Sequence, residues 1–222
     1  MLNSLLDKYR YLLLLTVSLF LFVIVFFSYA YPEGDDAVFG FLKRYEVELS
    51  APVKGRITHN GIPVSGMEIV RELSYGGYDK GEPIIDYALT DTNGEFSFNE
   101  VKVKSNAPGN IFGQDARLRQ EIYIKKDLDE IKDGEDKYYW LWFISKNWTS
   151  VPYLNQYLMQ LNADLKNKEL QYEVDLTQFG LRSSQPIASI CYWEGELFSV
   201  YYGEDLEEIT SFDDLKRLNL LI

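Results

Sequence analysis

From Tyr11 to Tyr31 the chain reads YLLLLTVSLFLFVIVFFSYAY, 21 consecutive residues without a charge. As an α-helix rising ~1.5 Å per residue, such a run spans about 30 Å, the thickness of bilayer hydrocarbon. It is longer than the ~7–15 apolar residues of a signal peptide. The expectation is therefore a retained anchor over residues 1–31, although Ser28-Tyr29-Ala30 has the small-x-small form of a cleavage site. Lys8 and Arg10 stand before the run, and Glu33, Asp35 and Asp36 come after it. The positive-inside rule then keeps the N-terminus in the cytoplasm and sends the rest out of it. In a Gram-negative cell that means the periplasm, with the chain held to the inner (cell) membrane as a single-pass protein. The run contains no glycine, acid, base or amide, so it reads as a tether with neither a proton path nor a tight helix-packing motif.

The chain as a whole has a globular composition, with 46% hydrophobic and 25% charged residues, so wholesale disorder is set aside. Only Asp7, Lys8 and Arg10 of the charged residues precede the apolar run. The surplus of 34 Asp and Glu over 22 Lys and Arg therefore falls beyond it. Such a surface repels nucleic acid and anionic lipid; its acidity serves solubility or, on the sharper reading, a basic protein partner. Cys191 is the single cysteine, flanked by apolar residues, which leaves no internal disulfide and no cysteine-based zinc site.

The 17 Tyr and 13 Phe stand in short runs beside β-branched residues, a strand-forming composition. Residues 32–50 read as a linker becoming a first strand, with Tyr45, Val47 and Leu49 on one side, or a short helix. Strands are expected at Val53–Thr58, Met67–Leu73, Ile84–Thr90 and Glu95–Phe98. The turns between them are set by Asn60-Gly61 and by Asp91-Thr92-Asn93-Gly94. Glu121–Lys125 is a further short strand, and Tyr138–Ser145, apolar at nearly every position, is a central one. Within it Trp140 and Trp142 are assigned to one face and to the core. Leu154, Tyr157, Leu158, Leu161 and Leu165 recur at helical spacing, which predicts an amphipathic helix over residues 151–166. Leu170–Leu176 alternates as a strand. Residues 187–193 and 197–202 read as a closing hairpin around Glu194-Gly195-Glu196, and SFDDLKRLNLLI as a short final helix capped by Ser211. The domain reading is thus 1–31 anchor, 32–50 linker and first strand, 51–195 sandwich with an aromatic-rich second half, and 196–222 closing strand and helix.

Particular residues carry a family pattern: Gly55-Arg56-Ile57, Asn60-Gly61, Pro63-Val64-Ser65-Gly66, Thr90-Asp91 and Gly94-Glu95-Phe96. Over residues 51–103 the chain resembles the carboxypeptidase regulatory-like domain of the transthyretin-like group. That resemblance implies a mainly β, Greek-key sandwich, here with one or two short helices behind one transmembrane helix. It also implies a role in stabilising, presenting or recognising another molecule, without chemistry of its own.

The residues speak against the enzymes built on similar sandwiches. Hydroxyisourate hydrolases need several histidines and a C-terminal Tyr-Arg-Gly-Ser, and intradiol dioxygenases hold iron with two histidines. Here His59 is alone, beside a turn, and the chain ends in Leu-Leu-Ile. No nucleophile-elbow motif is present. The pairs Asp35-Asp36, Glu207-Glu208 and Asp213-Asp214 are sequence neighbours and read as surface. No catalytic residue, metal ligand or cofactor-binding residue is assigned, and no cofactor is expected. The contact candidates are Tyr75, Tyr78, Asp79 and Glu82 in the glycine-rich stretch SYGGYDKGEP, and Trp148 beyond the central strand. Aromatic and acidic loop residues bury area at modest entropic cost. The expected function is a membrane-anchored binding or assembly module. An immunity protein against a secreted toxin is the first alternative and an envelope enzyme with carboxylate chemistry the second.

Overall fold

A computed structural model describes residues 2–30, 44–78, 81–109, 116–126, 136–181, 184–203, 206–210 and 214. The chain divides into two units, residues 1–45 with 104–115 and residues 46–103 with 116–222. The first holds helix α1 (Leu2–Ala30). Within it the stretch Tyr9–Phe26 is long and apolar enough to cross a membrane, and none of that stretch is buried.

The second unit is built of strands. In chain order they are β1 (Tyr45–Ser50), β2 (Val53–His59), β3 (Ile62–Pro63), β4 (Glu68–Tyr75), β5 (Ile84–Leu89), β6 (Glu95–Phe98) and β7 (Val101–Ser105). Then come β8 (Arg117–Lys125), β9 (Tyr138–Asn147), helix α2 (Pro152–Leu158), β10 (Leu161–Asp164), β11 (Leu170–Val174), β12 (Gln185–Ser189), β13 (Phe198–Tyr202) and β14 (Glu207–Ile209). Eight strands form one antiparallel sheet in the order β14-β13-β11-β12-β9-β8-β4-β5. A second layer is made by the β1-β7 pair and by β2, which has β10 on one side and β6 and β3 on the other. The result is the mainly β sandwich that the strand pattern predicts.

The core lies between the layers. Val53, Ile57, Phe96 and Phe98 from the small sheet meet Ile69, Ile122, Ile124, Leu141, Trp142 and Ile144 from the large one. Trp142 packs edge-on to Trp193 with ring centres 5.7 Å apart. Two polar side chains tie the layers together. Gln120 donates to the Leu49 carbonyl at 2.6 Å and accepts from the Trp142 indole at 3.1 Å. Buried Arg71 donates to the Asn99 carbonyl at 2.7 Å, and its guanidinium lies 4.7 Å from the centre of the Phe98 ring.

Turn chemistry matches the sequence. Asn60 and Gly61 adopt φ of 53° and 76°, the left-handed pair that a tight hairpin needs. Asp164 holds that turn, accepting from the backbone N–H of Asn60 at 3.1 Å and Gly61 at 2.8 Å and from the Thr58 hydroxyl at 2.8 Å. Burial works against the charge on Asp164, yet these bonds outweigh it and lower its pKa below the ordinary carboxylate value.

Three expectations are corrected. The helix predicted over 151–166 ends at Leu158, and Leu161–Asp164 is a strand pairing in parallel with β2, Leu161 opposite Gly55. Leu161 and Leu165 satisfy a period of two as well as one of 3.6, and the strand buries Leu161 and Ala163 while freeing Asp164 to hold the turn. The closing hairpin is not formed: β12 and β13 each pair with β11, which lies between them. The apolar stretch after Ser189 leaves the sheet to put Ile190, Cys191 and Trp193 into the core, where the Trp193 indole donates to the Gln160 carbonyl at 3.0 Å. Trp140 and Trp142 do not share a face. A bulge opposite Ile122 and Tyr123 inserts Leu141, so Trp142 pairs with Ile122 and Trp140 with Tyr123. Leu141 and Trp142 are both buried, whereas Trp140 turns to the opposite, outer face. The short strand predicted at 121–125 begins at Arg117. Of the predicted final helix only Asp214 lies among the described residues, in a helical turn.

Candidate site on the outer face of the large sheet

The sheet register fixes which side chains share the outer face. One row runs across the strands as Ile85, Glu72, Glu121, Phe143, Ala188, Gln171 and Tyr201. The next, toward one end of the strands, runs Tyr87, Val70, Tyr123 and Trp140. Toward the other end lie Ser74, Arg119 and Ser145. The rings of Tyr123, Tyr138, Trp140 and Phe143 form a continuous patch, with centres 4.6 Å apart for Tyr123–Tyr138 and 5.0 Å for Trp140–Phe143. The indole of Trp140 donates to the Asp136 carboxylate at 2.6 Å. Tyr87 at the margin is 60% exposed, Leu89 66% and Ile85 44%.

Within this apolar band two carboxylates stand directly opposite each other, Glu72 on β4 and Glu121 on β8. Like charges in that position destabilise sheet pairing. Arg119 relieves part of the repulsion, its Nε lying 3.1 Å from Glu121. Burial nevertheless pushes the Glu121 pKa above its ordinary value, with Arg119 opposing and Glu72 adding to the rise. The same field reaches Tyr123, whose hydroxyl is pushed up to about 12 by burial first and then by Glu72, Tyr138 and Glu121. The face is thus aromatic and electronegative at once, a combination suited to a cation carried on an apolar stem.

Among the described residues, the contact candidates Tyr75, Tyr78, Glu82 and Trp148 lie outside the paired rows of this face. Tyr75 is buried at the end of β4, paired opposite Leu118, so its ring belongs to the interior. β4 carries on into the glycine-rich stretch, and the turn proper begins at Gly76. Tyr78 is half-buried and Glu82 exposed; Asp79 lies outside the described residues. Ser74, Gly81, Glu82, Pro83, Arg117 and Arg119 border an open cleft of about 330 Å³, adjoining the Ser74–Arg119–Ser145 row. Trp148 is half-buried just past β9.

The band itself has a signature in the sequence, alternation in IIDYAL and QEIYIK, but only the register shows that these residues and Phe143 share one face. The thiol of Cys191 is buried and pushed up to about 12 by desolvation, far from a reactive value. Among the described residues no group of three or more His, Cys, Asp or Glu is placed to hold a metal ion.

A family model matches residues 53–168, just over half of the chain. The chain belongs to the DUF6795 family, described as a domain of unknown function. Searches of curated proteins and of solved structures find no match. The DUF6795 stretch runs from β2 to just past β10, so β4, β5, β8 and β9, which carry the aromatic band and the Glu72–Glu121 pair, all fall within it. Strands β11 to β14 widen the same sheet beyond the matched stretch.

Proposed function

We propose that this DUF6795 protein is a membrane-tethered recognition module that binds a protein partner through the outer face of its large sheet. The observation that carries the reading is the Glu72–Glu121 pair inside the aromatic band. Opposed carboxylates weaken the fold where they stand, and a cation from a partner would relieve them. The acidic balance of the chain supports a basic partner. The basic residues before the apolar run and the acids after it support an extracytoplasmic domain at the inner membrane, periplasmic in a Gram-negative host. The turn pattern shared with carboxypeptidase regulatory-like domains supports a binding role over a catalytic one.

The test is affinity capture with the full-length chain, in detergent, from a membrane extract at low and moderate salt. A stoichiometric partner is expected that weakens with salt, is lost on Tyr87→Ala with Phe143→Ala, and is weakened on Glu72→Gln. Because Glu72→Gln removes a like-charge contact, the same variant should unfold at equal or higher temperature than the parent chain. A partner retained in full by the Tyr87 and Phe143 double variant, or no partner at either salt, sinks the proposal.

A further inference from the structure

The large sheet ends at β5, and among the described residues no strand pairs with its free side. Sheet edges are ordinarily guarded by lysine, proline, a bulge or a covering segment. Ile84–Leu89 contains no lysine, arginine or proline, and its one charge, Asp86, is turned to the inner side and held by Arg71 with an Nε–Oδ2 distance of 3.1 Å. What the strand shows to the outside is Ile85, Tyr87 and Leu89, the three most exposed apolar residues of the face. Among the described residues this is an unguarded edge bordered by an apolar stripe.

The chemistry on either side of the edge defines what fits it. On the outer face, Ile85 stands next to Glu72 and Leu89 next to Glu68, one strand further in. An added strand at the usual spacing of about 4.8 Å would lie roughly 10 Å from those carboxylates. A lysine or arginine stem lying over Ile85 or Leu89 spans that distance. At the Leu89 end of the edge a polar concavity of about 590 Å³ is bordered by Ala88, Leu89, Phe96 and Met159 together with Lys54, Arg56, Asp91 and Glu95. On its inner side β5 carries half-buried Ile84 and Ala88, against which alternate aliphatic side chains of an added strand would pack.

We propose that the free edge of β5 takes up an extended segment of the partner as an additional strand, its outward side chains lysine or arginine and its inward ones aliphatic. This rests on the recognition role proposed above and specifies its geometry. Main-chain hydrogen bonds to β5 supply affinity, and the Glu68 and Glu72 carboxylates select charge. A second copy of this chain is disfavoured as the occupant, because pairing β5 with β5 would bring two sets of these carboxylates together.

The test uses the full-length chain in detergent micelles and a soluble peptide alternating lysine with valine and threonine, with its glutamate counterpart as control. Hydrogen exchange of the Ile84–Leu89 amides is read with and without peptide. Slowed exchange there with the lysine peptide alone is expected. Its affinity should fall roughly tenfold on Glu72→Gln with Glu68→Gln, a change of about 1.4 kcal/mol, and be lost on Ile85→Lys with Leu89→Lys. Failure of the lysine peptide to bind, or binding that leaves β5 exchange unchanged, overturns the proposal. So does a chain that sediments as a dimer with β5 already protected. If the Ile85 and Leu89 lysine variant still captures the membrane-extract partner in full, the edge proposal falls while the recognition reading stands. If the partner is never captured, the recognition reading falls and takes this one with it.

Discussion

Lys146 shows how a single side chain can report on the whole sandwich. It lies on the inner side of β9, 6% exposed, and its ammonium donates to the Thr149 carbonyl at 2.9 Å. Burial lowers its pKa to about 8, with Glu48 opposing that fall. In the unfolded chain it titrates near 10.5. Below about pH 8 both states hold the proton and the fold carries the full cost of a buried ammonium, on the order of 3 kcal/mol. Between about 8 and 10.5 the unfolded state binds more protons than the folded one, so stability rises with pH across that window. Lys146→Met should therefore raise the melting temperature at pH 7, and the gain should shrink toward pH 10. Thermal unfolding at the two pH values checks this, and an equal gain at both would show that the lysine is not desolvated as described. At this scale the sequence was a partial guide. The Asn60-Gly61 and Asp91–Gly94 turns were legible because left-handed backbone restricts residue choice. Burial of Tyr75 and the outward turn of Trp140 were not, because one depends on where β4 ends and the other on a bulge that alternation cannot announce.

Secondary-structure elements were legible where one period fitted and illegible where two did. β2, β4, β5 and β6 stand close to their expected places, because Gly, Pro and Asn bound them on both sides. α2 and β10 were merged into one helix because Leu161 and Leu165 fit both periods. The strand prevails through its pairing with β2, and that pairing depends on Gly55. A Cβ on Gly55 would collide with the Leu161 carbonyl oxygen and lie 2.6 Å from the Phe96 ring. Gly55→Ala must push β10 or Phe96 away, and a loss of about 1–3 kcal/mol is expected. Denaturant melts of the full chain in detergent measure it, and a loss under half of that would mean the two strands can part without cost. β12 and β13 were misread as a hairpin for a different reason. Ile190, Cys191 and Trp193 read as strand interior, whereas they serve as the apolar crossing that lets β11 lie between.

On the scale of the whole molecule, α1 and the β unit are separate statements in the sequence, and both were readable from composition: one from an absence of charge, the other from its aromatic and β-branched residues. A contact surface was expected in the glycine-rich stretch, whereas the face proposed above is assembled from strands far apart in the chain, which no local pattern announces. The proposed orientation has a direct check. In sealed vesicles of known sidedness, protease applied to the extracytoplasmic side should remove the β unit and leave a short membrane-bound fragment. Protection from that side, with digestion from the other, would reverse the orientation. The parallel pairing of β10 with β2 has a consequence for the order of events. Thr58 and Asp164 meet from positions 106 residues apart, near the two ends of the family-defining stretch. Until the chain has been delivered past that point, β2 is open along one side and the Asn60-Gly61 turn lacks its carboxylate. A nascent chain therefore carries an unfinished sheet until Asp164 has been made, and a chaperone that binds unpaired strands would find that edge before β10 does.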